Sequence, residues 1–344
     1  MTESPAEWDA PGVEDLGGGI YRIPLPLPAD ALRAVNVYAI CEGEDVVLVD
    51  GGWALSESQR QLEKSFSEIG LSLSQIRRVL VTHIHRDHYT QAVSLRDQFG
   101  CHVALGSGER ANLAELLSAV SEQRMPRQFE ALRRAGAGRL MAQLRDVPAN
   151  DSEQWQAPDE WLEADDRLHL GSRTLRVIST PGHTAGHVVF HDESANLLFA
   201  GDHVLPHITP SIGFQPSLVP FPLRDYLASL RLVAALPDAR LLPAHGMVSD
   251  SVHQRVSALL AHHEARLEAS LAVVRAGAAT AYEVAEILRW TRRERAFAEL
   301  DPFNQLLAVS ETIAHLDVLV LQARLRTVRT DDGVDHFELP AAGR

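Results

Sequence analysis

The feature that most constrains this chain is the segment 82–88, which places three histidines and one aspartate within six residues. It follows an apolar, strand-like stretch, and in an extended chain His83 and His85 project to the same side, where both can bind one cation. Asp87 and His88 come directly afterwards and can reach a second cation. Imidazole and carboxylate together suit zinc, or iron and manganese where carboxylates are more numerous. The alternative, a chance cluster on a solvated loop, fits a lone histidine better than this group.

Three more residues of ligand type lie further along the chain, each after an apolar, strand-like run and next to a glycine. They are His183, Asp202 and His245. A neighbouring glycine lets the backbone turn tightly and approach a metal closely. Strand ends are positions from which a rigid sheet can direct several side chains at one point. With the four residues of segment 82–88 they make seven ligands, enough for two metal ions with one shared bridge.

The pattern resembles that of the metallo-β-lactamase superfamily of hydrolases, over roughly residues 15 to 250. The family's His-x-His-x-Asp-His signature is complete here. Its later histidine, bridging aspartate and final histidine follow in the expected order and contexts. The matching residues are His83, His85, Asp87, His88, His183, Asp202 and His245. These motifs are highly specific, so the resemblance predicts both the fold and a metal-dependent hydrolase.

Two further places bear on this resemblance. Asp50, in the strand-turn segment 47–52, matches the family's early Asp-Gly motif, in which the aspartate supports the site without binding metal. Tyr89 and Thr90 stand where the family often continues its signature with two small residues. We expect this departure to alter the wall of the pocket and to leave metal binding intact. His187 is expected to be a supporting residue, and His203 and His207 either line the pocket or are structural.

The resemblance implies a cofactor of two divalent metal ions, with Zn²⁺ favoured and iron or manganese as alternatives. The first ion takes His83, His85 and His183. The second takes Asp87, His88 and His245, and Asp202 bridges the two. A water in the remaining bridging position would have its pKa lowered to near neutrality, which supplies hydroxide as the nucleophile. Asp87 is the expected proton acceptor or shuttle, so Asp87 and Asp202 are the predicted catalytic residues.

An α/β fold follows from the alternation of strand and helix patterns in residues 1–250, which fits the αββα sandwich of the resembled family. We expect a helix over residues 91–99, directly after the signature. Residues 108–145 interrupt the alternation with a mostly helical insertion. Two interpretations stay open for it: a lid or pocket wall beside the metal site, or a solvent-facing addition or dimer contact.

Residues 251–344 have a different pattern, with consecutive helices in place of alternating strands and helices, and form a second predicted domain. Helical patterns over 251–276, 281–290 and 303–324 precede a hairpin that turns at residues 332–333. This order resembles the winged-helix appendage of one superfamily branch, which includes β-lactamase-like protein 2. The third helix is dominated by leucine, valine and isoleucine, whereas a helix that reads DNA needs Arg, Asn or Gln along one face. We therefore expect it to be buried against the catalytic domain or a second subunit; the second case would make the protein a homodimer, and the sequence alone does not decide between them.

Composition and charge limit the partners and the location. A formal net charge of −14 disfavours strong non-specific binding of nucleic acid. The two cysteines, Cys41 and Cys101, are too few for a disulfide scaffold, and we expect both to be free thiols. The acidic, polar start of the sequence does not have the pattern of an export signal, and no apolar run has the length of a membrane span. These features predict a cytoplasmic protein with no membrane partner.

The predicted reaction is hydrolysis of a carbonyl bond in a thioester, ester or lactone. Five prolines in the segment 204–223 restrict its conformations and so can hold apolar side chains at fixed positions, which favours a small-molecule substrate with an apolar or acyl part. The alternatives are a metal-dependent phosphodiesterase or endoribonuclease, and a non-catalytic metal-containing binding protein. Hydrolysis of β-lactams is disfavoured because it normally belongs to exported proteins. An oxygen-reducing di-iron variant is disfavoured because those relatives usually have Glu in place of His85.

Overall fold

Two mixed β-sheets stacked face to face form the centre of the molecule. The computed structural model describes residues 7–28, 32–118, 126–144, 155–217 and 219–341. In spatial order the first sheet consists of β1 (Glu14–Gly17), β2 (Ile20–Pro26), β3 (Ala34–Glu42), β4 (Asp45–Val49), β5 (Ile76–Val81), β6 (His102–Gly106) and β7 (Glu160–Leu162). Strands β1 to β4 pair antiparallel and β4 to β7 pair parallel.

The second sheet is stacked on the first and, within the described residues, contains five strands. Its strands are β8 (Arg167–Leu170), β9 (Arg173–Ser179), β10 (Val188–Asp192), β11 (Leu197–Gly201) and β12 (Arg240–Pro243), which lie side by side in sequence order. Neighbouring strands pair antiparallel except β11 and β12, which are parallel. Because parallel strands end at the same edge, the residues that follow β11 and β12 come out side by side.

Helices cover both outer faces of the sheet pair. They are α1 (Ser56–Glu68), α2 (Arg86–Phe99), α3 (Arg110–Ser118), α4 (Pro126–Arg134), α5 (Gly138–Leu144), α6 (Pro222–Ala234), α7 (Val252–Arg275), α8 (Ala281–Ile287) and α9 (Pro302–Leu321). The first sheet is covered by α1 and α2, and the second by α6 together with the C-terminal helices. This arrangement of helix, sheet, sheet and helix is the predicted α/β sandwich.

Strand β4 shows why the sandwich forms from this sequence. Successive side chains of a strand point to opposite faces, and β4 is apolar at every position after its first. Val46 and Leu48 are buried under α1 and α2, whereas Val47 and Val49 face the second sheet. Full burial of such a side chain contributes about 1.5–3 kcal/mol, so a continuous apolar run is stable only with packing on both faces.

The helical insertion packs against the C-terminal helices. Leu132 of α4 and Leu140 and Leu144 of α5 share one apolar cluster with α9. Helices α4 and α5 are therefore not a solvent-facing addition, and α5 packs on α9 instead of covering the metal site. Residues 119–125 and 145 of the predicted insertion lie outside the described residues. The packing explains the apolar faces of α4 and α5.

The C-terminal elements follow the predicted order with two differences. Helix α8 ends at Ile287, earlier than expected, because Leu288 turns into extended backbone and a small hairpin follows. That hairpin pairs β13 (Arg289–Trp290) with β14 (Arg295–Ala296). The expected terminal hairpin is present as β15 (Arg326–Arg329) and β16 (Asp335–Glu338). The division of the chain at residue 250 stays a prediction.

Most apolar residues of α9 are buried inside the chain, although Phe303 and Leu321 are exposed. Leu306, Val309, Leu316 and Leu319 are at most 1% exposed and pack against α5, α7 and α8. Burial within one chain therefore accounts for most of the composition of this helix, and the homodimer stays a prediction. None of the helices in the described ranges has the length and apolar character needed to cross a bilayer. Cys41 and Cys101 are both free thiols, as expected.

Candidate metal centre

All seven predicted ligands lie at one edge of the sandwich, just beyond the C-terminal ends of four strands. His83 and His85 follow β5, His183 lies in the turn after β9, Asp202 follows β11 and His245 follows β12. Asp87 and His88 lie in the first turn of α2, which begins at Arg86, five residues before the expected start. An acidic residue in a first helical turn is favoured by the helix dipole, so Asp87 also helps α2 to start here.

The seven side chains form two groups that match the predicted division. One group contains His83, His85, His183 and Asp202, and the other contains Asp87, His88 and His245. Within each group one nitrogen or oxygen atom per residue lies within 4.8 Å of those of the others. The structure therefore brings together every predicted metal ligand.

Asp202 faces both groups with different oxygen atoms. Its Oδ2 lies 3.4 Å from His183 Nε2, and its Oδ1 lies 3.3 Å from His245 Nε2. Asp87 Oδ2 lies 3.5 Å from the Nε2 atoms of both His88 and His245. These separations suit ligands around a shared ion, and Asp202 has one oxygen near each group.

Several polar atoms of the site are buried without a hydrogen-bond partner. They are Nε2 of His83, His88 and His245, and Oδ1 of Asp202. A buried polar atom left unpaired costs about 1–3 kcal/mol, so such atoms gathered at one point need a common partner. Lone pairs of imidazole and carboxylate are what a divalent cation accepts, and the donor set therefore fits two metal ions.

Hydrogen bonds on the far side of the rings orient these lone pairs. His245 Nδ1 lies 2.7 Å from the carbonyl oxygen of Ala34, and His183 Nδ1 lies 2.8 Å from that of Ser211. A carbonyl oxygen accepts only, so each Nδ1–H donates and each Nε2 keeps a lone pair directed into the site. This is the tautomer that metal binding requires.

The pKa values of the first group favour neutral imidazoles. Burial lowers the pKa of His85 to about 3 and that of His183 to about 4, and it holds the pKa of His83 well below its ordinary value. Neighbouring histidines lower the pKa of His83 further. Since only neutral imidazole binds a metal, this group is ready for an ion at neutral pH.

The second group contains more negative charge. Burial alone would raise the pKa of Asp87, but His88 and His245 outweigh it and hold that pKa well below its usual range. Burial would lower the pKa of His88 and of His245, but the facing carboxylates raise both instead. The negative charge that favours a proton here also favours a metal cation, and a cation would replace the proton.

Asp50 and His187 support the site as expected. Asp50 adopts φ 62° and its Oδ2 lies 2.9 Å from His88 Nδ1, while Thr82 donates its backbone N–H and its hydroxyl to Oδ1. His187 Nε2 accepts the backbone N–H of Asp202 at 3.2 Å. Neither side chain belongs to a ligand group, so both act by holding ligands in place.

Several neighbours of the signature differ from expectation. Tyr89 is fully buried, donates its hydroxyl to the Gln156 carbonyl and belongs to the core under α2, so it does not alter the pocket wall. Thr90 is also buried and donates its hydroxyl to the carbonyl of Arg86. Tyr89 and Thr90 follow His88 in α2, and helical geometry directs both side chains into the protein interior and away from the site. His203 is fully buried and His207 is exposed, and the role of each stays a prediction.

Glu109 is a buried carboxylate near the site that the sequence does not reveal. It is fully buried and hydrogen-bonded to residues beside the metal ligands. Its neighbours in the sequence are polar or glycine, as in any surface turn, so no pattern distinguishes it. The one available sign is the pair of glycines at 106 and 108, which indicates close packing directly after β6.

Comparison with known proteins supports the resemblance to the metallo-β-lactamase superfamily. The family model described as the metallo-beta-lactamase superfamily matches residues 30–245. The probable metallo-hydrolase YqjP of Bacillus subtilis is 25% identical over 313 residues, covering 87% of this chain and 90% of that protein. The beta-lactamase-like protein 2 homolog of Caenorhabditis elegans is 23% identical over 330 residues, covering 95% and 90%.

A solved structure is similar over nearly the whole chain. The metallo-beta-lactamase family protein TTHA1429 of Thermus thermophilus superposes with a TM-score of 0.77 at 27% identity, covering 95% of this chain and 100% of that one. The likeness therefore includes the C-terminal helices. Some curated relatives are longer: the chain spans 64% and 61% of the length of two lactamase-like proteins that it matches.

Proposed function

Because this chain belongs to the metallo-β-lactamase superfamily of metal-dependent hydrolases, we propose that it hydrolyses a carbonyl bond, in a thioester, ester or lactone, at a dinuclear metal centre. The observation that carries the proposal is the placement of Asp202, whose two oxygens face the two ligand groups separately. A mononuclear site would need only one of these groups. Two ions bound there would activate a water as nucleophile and polarise the carbonyl oxygen that it attacks.

The chain's own residues hold this arrangement and move the proton. His83, His85 and His183 would hold one ion, Asp87, His88 and His245 the other, and Asp202 both. Zinc suits this mixture of imidazole and carboxylate, with iron or manganese as alternatives. Asp87 is 16% exposed, whereas Asp202 is 9% exposed at its side chain. Asp87 is therefore the carboxylate best placed to exchange a proton with substrate or solvent.

An apolar or acyl substrate fits the proline-rich segment beside His245. Gly246 packs against Pro206, since a Cβ at Gly246 would lie 2.7 Å from Pro206 Cγ. Ile208 follows two residues later and is 37% exposed, whereas Leu205 and Ile212 of the same segment are buried. We infer that Ile208 offers apolar surface to the substrate near the second ligand group, while the other two hold the segment in place.

Thiol release from a panel of acyl-CoA thioesters tests the proposed reaction. We expect saturable turnover by the metal-loaded protein and a loss of at least about 100-fold in Asp202→Ala, which removes the bridge. Asp45→Ala is the matched control, because Asp45 forms an exposed ion pair with Arg77 far from the ligands, and such pairs contribute at most about 1 kcal/mol.

The same experiment separates the alternatives. Two bound ions without thioester, ester or lactone turnover would contradict carbonyl hydrolysis, and phosphodiester and RNA substrates would then be assayed. Bound metal without turnover on any class would indicate a binding protein. Full activity with full metal content in Asp202→Ala would contradict the dinuclear site itself.

We also propose that residues 251–344 form a winged-helix-like domain. Helices α7, α8 and α9 followed by the β15–β16 hairpin support this, because the order is that of a winged helix. Nucleic acid is not the proposed partner, because most apolar side chains of α9 are buried within the chain and the protein has a formal net charge of −14. A cytoplasmic location is a further hypothesis from the sequence, which cell fractionation would test.

A further inference from the structure

Glu109 lies at the end of a short 3₁₀ turn (Ser107–Glu109) after β6, and its side chain is completely buried. A carboxylate removed from water is costly unless several donors surround it. Thr184 donates its hydroxyl to Oε1 and Asn112 donates its amide to Oε2 at 2.6 Å. The backbone N–H groups of Ile84 and Gly186 also donate to this carboxylate.

Three of the four donors come from the two segments that carry the first ligand group. Ile84 stands between His83 and His85, and Thr184 directly follows His183. The two segments are about a hundred residues apart in sequence, and Glu109 belongs to neither. One carboxylate therefore connects the backbones on which all three histidines of the group depend.

Glycines allow the backbones around Glu109 to meet. A Cβ at Gly108 would lie 2.7 Å from the carbonyl oxygen of Ala185, and a Cβ at Gly186 would lie 2.1 Å from the backbone nitrogen of Glu109. Both distances are too short for any other residue without displacement. The turn that carries Glu109 is thus packed directly on the segment that carries His183.

Asn112 extends the same network to the far side of His183. Its amide donates at 3.2 Å to Oε1 of Gln215, which also accepts the backbone N–H of Ala185 at 2.9 Å. Four residues before Gln215, the carbonyl of Ser211 accepts the Nδ1–H of His183. The network therefore reaches both the backbone beside His183 and the segment that orients its ring.

We propose that Glu109 is the positioning residue of the first ligand group, aligning His83, His85 and His183 on one ion by accepting hydrogen bonds from Ile84, Thr184 and Gly186 in the segments that carry them. The proposal rests on the dinuclear site proposed above. The second group has separate supports: Asp50 holds His88, and the Ala34 carbonyl holds His245. Loss of Glu109 should therefore affect one ion far more than the other.

Glu109→Gln is the test variant, because Gln has the same size but offers only one acceptor oxygen. Its amide N–H₂ would face backbone N–H groups that already donate, which pushes the two segments apart. We expect one of the two Zn²⁺ ions to bind about 10- to 100-fold more weakly, as is typical for residues that orient metal ligands, and the other to change little.

The experiment is a Zn²⁺ titration of the metal-free full chain against a chromophoric chelator, with thermal unfolding recorded on the same samples. Thr184→Val is a milder second variant, since it removes one donor to Glu109 and keeps the side-chain shape. Asp192→Asn is the matched control. Asp192 is also fully buried, accepts several hydrogen bonds, and lies at the end of β10 opposite to the metal site.

Selective weakening of one ion in Glu109→Gln, a smaller effect of the same kind in Thr184→Val and none in Asp192→Asn would support the proposal. Unchanged affinities in Glu109→Gln would overturn it. Equal weakening of both ions, matched by Asp192→Asn with a similar loss of thermal stability, would also overturn it. If the unmodified chain binds fewer than two ions, the dinuclear function fails first, and that result is visible without any variant.

Discussion

Asp50 is the residue that most clearly links backbone, hydrogen bonding and metal binding. Its carboxylate meets His88 with one oxygen and Thr82 with the other, and the Thr82 hydroxyl lies 3.0 Å from His83 Nδ1. It therefore supports one residue in each ligand group, although it belongs to neither group itself. The positive φ of Asp50 brings its carboxylate to this point, and asparagine tolerates the same conformation.

Asp50→Asn should weaken both metal ions, because the negative charge that orients His88 and, through Thr82, His83 is lost. We expect each affinity to fall by about 10- to 100-fold with the fold retained. Competition titration with Zn²⁺ measures the affinities, and circular dichroism checks the fold. Retention of both affinities would show that the hydrogen bonds of Asp50 do not control the ligands.

At the level of single residues the sequence predicted which side chains come together at the site, but not all of the residues that support them. The ligands are recognisable because rare residue types recur beside strand ends, as with His183 and Asp202. Glu109 could not be predicted, because its donors at positions 84, 112, 184 and 186 come together only in the folded chain. Tyr89 was assigned to the pocket wall because its position in the signature says nothing about which helical face it occupies.

Among the elements, strand β4 lies where the sequence predicts it, whereas two helix ends do not. An apolar run bounded by turn residues defines a strand such as β4 within a residue or two. The predicted start of α2 lies five residues too late, because the polar signature hides the helical spacing of the first turn. The predicted end of α8 lies too far along the chain. Leu288 and Trp290 continue its apolar spacing, but Leu288 is extended and Trp290 belongs to the small hairpin.

The packing of the insertion on α9 can be tested through Leu140, which is 1% exposed in the shared apolar cluster. Leu140→Ala should lower the free energy of unfolding by about 2–5 kcal/mol, through lost transfer energy and the cavity left behind. Urea unfolding measures this change. Zinc content should stay at the unmodified value, because α5 is packed away from the ligands; a loss of zinc without a loss of stability would contradict this arrangement.

Helices α7 and α9 also meet through a buried pair of histidines. His263 Nδ1 lies 3.2 Å from His315 Nε2, and both rings are at most 1% exposed. Burial lowers the pKa of His263 to about 2 and that of His315 to about 3, from an ordinary value of 6.5. Both rings therefore stay neutral in the folded chain under conditions in which the unfolded chain binds protons.

Acidification should consequently weaken this contact. Between pH 6.5 and about 3 the unfolded chain binds more protons at these positions, so the free energy of unfolding falls as the pH falls. We expect about 1–2 kcal/mol per histidine between pH 7 and pH 5, measured by urea unfolding. The double variant His263→Leu, His315→Leu should lose less stability over the same range. An equal loss in both proteins would mean that these rings do not cause it.

For the whole molecule, two stacked sheets bring residues that are distant in the sequence to one edge. The first sheet contributes Asp50 and the segment 82–88, and the second contributes His183, Asp202 and His245. The C-terminal helices and the insertion share the apolar cluster on the outer face of the second sheet. The metal centre therefore depends on both sheets, and the order of strands within each could not be derived from the ligand pattern alone.

The seven side chains are proposed to hold two metal ions bridged by Asp202. The most direct test is an anomalous difference map from crystals of the full chain grown with Zn²⁺, with data collected on both sides of the zinc absorption edge. We predict two peaks, one among His83, His85 and His183 and one among Asp87, His88 and His245, with Asp202 bound to both. A single peak, or a second peak that Asp202 does not touch, would contradict the account.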